Sequence, residues 1–340
     1  MTSSQFVPRL VNDVFGDPGL FVDLRDQRRA LLFDLGDISS MRPGELLRLS
    51  DVFVSHTHMD HFAGFDRLLA VVLGRKTGLS IYGGPEFVAQ VEHKLRAYTW
   101  NVVHRYEVEL VLRVVEVNPD GEGRRCDFRS HTGFAREHDE RFQWASDVLV
   151  DEPLFRVRPR FVDHEMPCLA FALEEKARLR VVPERLAELG VTTGSWLREL
   201  KAAVLEGAPG DTMLDLKWRD REGEHTMGRS VEELKKLVLD VVPGRRIGYV
   251  TDLRYTEANV RALEELLCDV DQLFIESVFL EEDKAHAERK NHLTARQAGD
   301  IARRVRAKEI TPFHHSPRYE GRAEDLAHEA RAAWCGISCS

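Results

Sequence analysis

Between positions 56 and 61 the chain carries three histidines and an aspartate, His56, His58, Asp60 and His61. Imidazole nitrogen and carboxylate oxygen are ligands for Zn2+ and similar divalent cations, at roughly 2.0–2.2 Å for zinc. Apolar Val52-Phe53-Val54 runs straight into the cluster and reads as a strand, so these residues stand on a loop at a strand end. A loop in that position can aim neighbouring side chains in different directions. One short segment can then serve two adjacent ions.

This His-X-His-X-Asp-His segment resembles the signature of the metallo-β-lactamase superfamily. The resemblance implies an α/β layered fold, an αββα sandwich of two mixed β-sheets with helices on the outer faces and metals at one sheet edge. It implies His56 and His58 as ligands of a first ion, and Asp60 and His61 as ligands of a second. It also calls for three ligands further along. Phe161-Val162-Asp163-His164 supplies a histidine just after a strand, Gly248-Tyr249-Val250-Thr251-Asp252 a bridging aspartate at a strand end, and Thr311-Pro312-Phe313-His314-His315 a terminal histidine. Adjacent strand residues face opposite ways. The family usually has an apolar residue at the second of the last two positions, so His314 rather than His315 is read as the ligand.

Later blocks narrow the resemblance. His314-His315-Ser316-Pro317-Arg318-Tyr319 is similar to the His-X-Ser-X-Arg-Tyr block of ribonuclease Z, the tRNA 3′-processing branch. Glu276 and the run His292-Leu293-Thr294 resemble that branch's Glu and His-X-Thr segments, and the stretch from Gly190 to Lys201 resembles a further one. Two departures stand against these matches. Gly16-Asp17-Pro18-Gly19 occupies the region where the branch carries a Pro-Thr-X-X-Arg-Asn-like loop that helps recognise the tRNA end, and Phe62-Ala63-Gly64 replaces Gly-Leu-Pro-Gly after the metal motif. The catalytic chemistry is therefore implied more fully than the substrate.

On this reading His56, His58 and His164 hold one ion and Asp60, His61 and His314 the other. Asp252 bridges them, since a carboxylate offers two oxygens and an imidazole one free lone pair. Two ions about 3.5–4 Å apart can clamp the attacking and leaving oxygens of a phosphodiester and bring the pKa of a bound water to about 7. Asp60 is the implied proton acceptor, and His292, oriented by Glu276, the implied donor to the departing oxygen. The expected cofactors are two divalent ions, Zn2+ first, with Mn2+ and Fe2+ sharing the same ligand preferences.

Candidate substrate contacts are Arg156, Arg158 and Arg160, which alternate so that a strand would put all three on one face, and Arg318 beside His314. Guanidinium groups suit phosphate. The expected substrate is a 3′-extended tRNA; the alternative is a small phosphodiester or other ester on the same scaffold. A non-catalytic RNA-binding protein is a third class, disfavoured because every metal position is filled. The family resemblance also implies a homodimer.

The elements that must position these residues follow from periodicity. Apolar runs at 20–24, 30–34, 51–55, 79–82 and 108–117 read as strands, with helical spacing at 65–73 and 86–98. The stretch 121–152 reads as arginine-rich and irregular, 154–162 as a strand, 183–189, 195–205 and 231–240 as helices, and 207–229 as a polar loop. Strands at 246–250, 272–276 and 309–312 then alternate with helices at 256–267, 294–306 and 321–334. No repeat or low-complexity linker divides the chain, which reads as one domain over 1–340 with a protruding arm or insertion within 174–230, like the branch's tRNA-holding exosite.

Composition bounds the function. With 43% hydrophobic and 31% charged residues among 340, the chain can bury a large core, which excludes disordered and collagen-like classes. Forty-eight basic against 57 acidic residues give a net charge of −9, unlike an indiscriminate polyanion binder. Five scattered cysteines and a start without the apolar run of a secretory signal point to the cytoplasm. No apolar run approaches the ~18 residues of a membrane helix, so no membrane partner is expected.

Overall fold

A computed structural model describes residues 6–24, 27–144, 147–205, 207–219 and 223–336. Among these, eight strands form one mixed sheet in chain order: Phe6–Leu10, Leu20–Leu24, Arg29–Phe33, Leu49–Phe53, Gly78–Gly83, Val111–Val117, Glu122–Arg129 and Arg136–Gln143. A second, six-stranded sheet runs in space Ile310–Phe313, Gln272–Glu276, Arg246–Val250, Pro167–Glu175, Phe155–Asp163, Val150–Asp151. Its first three strands are parallel, each feeding a helix before the next, as parallel connections require.

The chain divides into two compact units, one comprising Val150–Arg156 with Glu174–Arg245, the other Phe6–Leu149, Val157–Leu173 and the residues from Arg246 onward. In the larger unit the sheets meet through aromatic side chains. Phe33 and Phe53 of the first sheet stack at 4.9 Å, and Phe171 of the second lies 5.5 and 5.8 Å from them. Tyr249 lies 5.9 Å from Phe33, and all four side chains are buried. Truncating Phe171 to alanine in such packing would cost about 3–5 kcal/mol.

Helices cover both outer faces. Phe65–Val72 buries Phe65, Leu68, Leu69 and Val72, the spacing of a helix stripe, in a cluster with Val52 and Ile81 of the first sheet and Val54 just after its fourth strand. Glu257–Leu267 and Ala295–Arg304 bury Val260, Leu263, Ala298 and Ile301 against Leu273 and Ile275 of the second. Gly299 permits the close approach of Ala295–Arg304 to Ala323–Trp334: a Cβ there would fall 2.1 Å from the Ala330 carbonyl oxygen. The layers are α, β, β, α.

The smaller unit has its own apolar core, including Trp196, Leu200, Leu216, Leu234 and Val238. Ser230 caps the helix Val231–Val238 by accepting from the Glu233 amide, which satisfies one of the helix's free N–H groups.

Two expectations are corrected. The stretch 121–152 is largely regular: Glu122–Arg129 and Arg136–Gln143 pair antiparallel. Their facing charges form cross-strand ion pairs such as Arg124–Asp139 and Arg125–Glu140, so pairing proceeds without apolar alternation. The polar loop 207–229 contains the hairpin Met213–Arg219 with Glu224–Ser230, which buries Leu216 and leaves most other positions exposed or half-exposed.

Candidate metal centre

The strand Leu49–Phe53 ends beneath the loop of His56 and His58, and the one-turn helix Met59–Phe62 then carries Asp60 and His61. His164 follows the strand Phe155–Asp163, Asp252 the strand Arg246–Val250, and His314 the strand Ile310–Phe313. All four strand ends deliver their side chains to one place. Ligand atoms of His56, His58, His164 and Asp252 lie within 4.8 Å of one another, as do those of Asp60, His61 and His314.

Asp252 joins the two groups. Its Oδ2 lies 3.6 Å from His56 Nε2 and 3.5 Å from His164 Nε2. Its Oδ1 lies 3.5 Å from His61 Nε2 and 3.0 Å from His314 Nδ1. Asp60 Oδ2 completes the second group, 3.5 Å from His61 Nε2 and 3.4 Å from His314 Nε2.

The far nitrogens of three histidines are held by the protein. His61 Nδ1 lies 2.8 Å from Asp34 Oδ2, His164 Nδ1 2.8 Å from the Asn291 carbonyl oxygen, and His56 Nδ1 3.1 Å from Ser55 Oγ. Such contacts fix which nitrogen carries the proton and leave the other free to ligate. The buried atoms His56 Nε2, His61 Nε2 and His314 Nδ1 have no hydrogen-bond partner among the described residues. Buried polar atoms are rarely left so, and all three face the same small volume.

Electrostatics points the same way. Burial pushes His56 down to about 2, with neighbouring His61 adding to the shift. Burial would also lower His61 and His314, yet Asp252 overrides it: His61, beside Asp34 as well, is raised well above its ordinary value, and His314 rises to about 10. Asp60 is held down at about 2 against burial by His314 and His61, and Asp252 is held well below the carboxylate range against burial by the same two imidazoles. The two carboxylates draw positive charge into a buried space lined with imidazoles. A divalent cation satisfies the carboxylates and the orphaned nitrogens together, so the residues fit metal.

Glu276 is fully buried and accepts from the Leu253 and Leu293 amides, which leaves Oε2 to hold His292 Nδ1 at 2.8 Å. That pairing raises His292 above its ordinary value, although burial opposes it. His315 turns away, with Nδ1 3.0 Å from the Ser277 carbonyl oxygen and its ring edge-on to Phe15.

The candidate substrate contacts fare differently. Arg318 lines a cavity of about 390 Å3 that also includes Asp60, His292 and His314, and it pairs with Asp283 at 3.2 Å. A second cavity, of about 430 Å3, is bordered by His58, Asp60, His164 and His292. Arg156, Arg158 and Arg160 share one face of their strand as expected. Each pairs with acids: Arg156 with Asp151, Arg158 with Asp147, and Arg160 with Asp147 and Glu265. None of the three lines either cavity.

Sequence reasoning missed the supports of the ligands. Asp34, fully buried with φ +57°, accepts from the Ser55 amide, Ser55 Oγ and Tyr249 Oη besides holding His61. A carboxylate directly after the apolar run Leu31-Leu32-Phe33 was its one sequence signal. Asn291 acts through its backbone carbonyl, which no side-chain pattern announces.

Comparison with known proteins adds an independent line. The profile of the beta-lactamase superfamily domain matches residues 214–315. Ribonuclease Z of Deinococcus radiodurans is 31% identical over 306 residues, spanning 89% of this chain and 86% of that protein. Ribonuclease Z of Natronomonas pharaonis is 27% identical over 321 residues, spanning 93% and 87%. Among solved structures, the metallo-β-lactamase fold protein YhfI of Bacillus subtilis is similar with a TM-score of 0.53 at 17% identity, covering 96% of this chain and 93% of that one. Human tRNase Z, short form, is similar with a TM-score of 0.51 at 16% identity, covering 93% of each. At those identities the two structures bear on the fold alone.

Proposed function

The chain belongs to the ribonuclease Z family of the metallo-β-lactamase fold, and from that premise we propose that it is a cytoplasmic, two-metal endoribonuclease that cuts 3′-extended tRNA precursors. As a family member it is a metal-dependent hydrolase. The observation that carries the finer reading is the placement of Asp252, whose two oxygens face two separate groups of ligand atoms.

His56, His58 and His164 would hold one ion, Asp60, His61 and His314 the other, and Asp252 would bridge them. Bound there, two divalent ions, Zn2+ first by ligand type, would supply Lewis acidity toward a phosphodiester and a water acidic enough to ionise near neutral pH. The chain's own residues do the rest. Asp60, half-exposed where the other carboxylates are buried, is placed to take the proton of the attacking water. His292, oriented by Glu276 and raised above its ordinary value by that pairing against burial, gives a proton to the departing oxygen. Asp34, Ser55 and the Asn291 carbonyl keep the ligating nitrogens turned inward. Arg318, in the cavity next to His314, binds phosphate oxygens.

We also carry forward one catalytic domain with the 174–230 segment as a substrate-holding insertion, and a homodimer, both from the family resemblance. No helix among the described residues is long and apolar enough to cross a membrane.

The test sets metal-loaded wild type beside Asp60→Ala, each offered a 3′-extended tRNA precursor and a chromogenic phosphodiester. Cleavage of the precursor by wild type, lost in the variant, is the expected outcome. Turnover of the small diester alone would move the protein to a phosphodiesterase role and overturn the tRNA assignment.

A further inference from the structure

The two cavities beside the metal centre share three residues, Asp60, His292 and Lys290. Asp60 and His292 already have roles in the reaction. Lys290 has none, and its position is unusual in a chain of net charge −9. It ends the helix Lys284–Lys290 two residues before His292, is exposed, and makes no ion pair among the described residues. Nearby cations are engaged: Arg318 pairs with Asp283, Arg254 with Asp163, and Arg289 donates to His286. Arg289 and Lys290 both border these cavities without a carboxylate ion pair among the described residues; Arg289 is engaged by His286 and lines one cavity, whereas Lys290 lines both.

The cavities on either side differ in character. One is walled by Phe15, Phe279 and Pro317 as well as Arg318, an aromatic and cationic lining of the kind on which a nucleobase stacks while its phosphate is held. The other is polar, bordered by Glu165, Asn291 and Arg289 besides the histidines. Each, at about 390 and 430 Å3, is in the range of small-ligand pockets, about 300–1,000 Å3. Asp60 and His292, to which the proposed reaction assigns the proton transfers, border both cavities, and Lys290 borders both beside them.

We propose that Lys290 is a substrate-contact residue that holds the phosphate chain of an RNA strand crossing the metal centre, with one nucleotide seated against Phe15 and its neighbour in the polar cavity. The inference rests on the endoribonuclease reading and deepens it. It makes the preferred substrate a strand with a nucleotide on each side of the cut, which a small diester cannot supply. An ammonium on a flexible stem suits that task, because it follows a phosphate as a point charge without demanding one geometry.

The test uses full-length, metal-loaded protein as wild type, Lys290→Ala and Lys290→Arg, with Lys308→Ala, whose lysine pairs with Asp271 elsewhere, as control. Each is assayed on a 3′-extended tRNA and on bis(4-nitrophenyl) phosphate at several salt concentrations. The expected result is a loss of about tenfold in kcat/KM on RNA for Lys290→Ala, carried by KM. The salt slope of log kcat/KM should shrink by about 0.7–0.9. The ratio of RNA to small-diester activity should fall accordingly, Lys290→Arg should recover most of it, and Lys308→Ala should match wild type. An unchanged RNA KM and salt slope in Lys290→Ala overturns the inference alone. Equal loss on both substrates with lowered metal content overturns it too, by marking damage to the centre. A wild type that turns over the diester and leaves RNA intact removes the endoribonuclease reading and this inference together.

Discussion

Asp34→Asn probes how the second metal site is built. The substitution keeps shape and changes one oxygen to an amide nitrogen. In the native site Oδ1 accepts from the Ser55 amide at 2.7 Å, while Oδ2 meets Ser55 Oγ at 2.9 Å, Tyr249 Oη at 2.9 Å and His61 Nδ1 at 2.8 Å. If the new NH2 takes the Oδ1 position, it faces a main-chain N–H that cannot turn. If it takes the Oδ2 position, the two hydroxyls can rotate to accept from it, but His61 Nδ1–H cannot. Either way a fully buried donor is left opposite a donor, which costs about 1–3 kcal/mol.

His61 has one escape, moving its proton to Nε2. That nitrogen points at Asp60 and Asp252, so the escape puts a proton where an ion must bind. Losing such a support typically lowers metal affinity about 10–100-fold, or about 1.4–2.7 kcal/mol. Competition with a chromophoric chelator, titrated into metal-free protein with Zn2+, reads this directly. The ion held by Asp60, His61 and His314 should weaken by that factor and the one held by His56, His58 and His164 much less. Two ions bound within twofold of wild-type affinity would refute the reasoning.

Three further outcomes follow from the same geometry. Removing the proton donor with His292→Ala should lower RNA cleavage by about 10²–10⁴-fold, yet lower hydrolysis of a nitrophenyl diester much less, because that leaving group departs without a proton; steady-state kinetics on both substrates decides it. Metal binding should release protons, since Asp252, with Asp34 or Asp60, holds His61 and His314 protonated well above the ordinary histidine range. Affinity should therefore fall as pH falls, by up to about tenfold per unit for each proton displaced, as read by calorimetry in buffers of different ionisation enthalpy. In chelated protein the sign for stability is the reverse. A raised histidine contributes fully below its unfolded value and is lost as pH rises, for His314 toward about 10, so metal-free protein should melt lower at pH 9 than at pH 7.

The ligands themselves were legible because metal chemistry restricts residue type and because each follows an apolar strand. Strands such as Arg246–Val250 and Gln272–Glu276 lie at the expected positions, since buried parallel strands read as continuous apolar runs. The hidden parts have other physics. Glu122–Arg129 and Arg136–Gln143 pair through the antiparallel backbone ladder, while their facing charged side chains read as a loop. Asp34 and Tyr249, joined by a 2.9 Å hydrogen bond, are 215 positions apart, and only the packing of two sheets brings them together. The Asn291 carbonyl, which orients His164, is backbone and has no sequence signature. Of the cavity walls, Phe15, Gly16 and Asp17 come from the early region where the family's recognition loop has no counterpart.

The most direct measurement of the central claim is the cut itself. An end-labelled 3′-extended tRNA precursor would be incubated with protein verified to hold two metal ions per chain, and with the same protein stripped by a chelator and then reloaded. The account predicts one internal cut, present with metal, absent after stripping and restored on reloading. Fully loaded protein that leaves the precursor intact would contradict it.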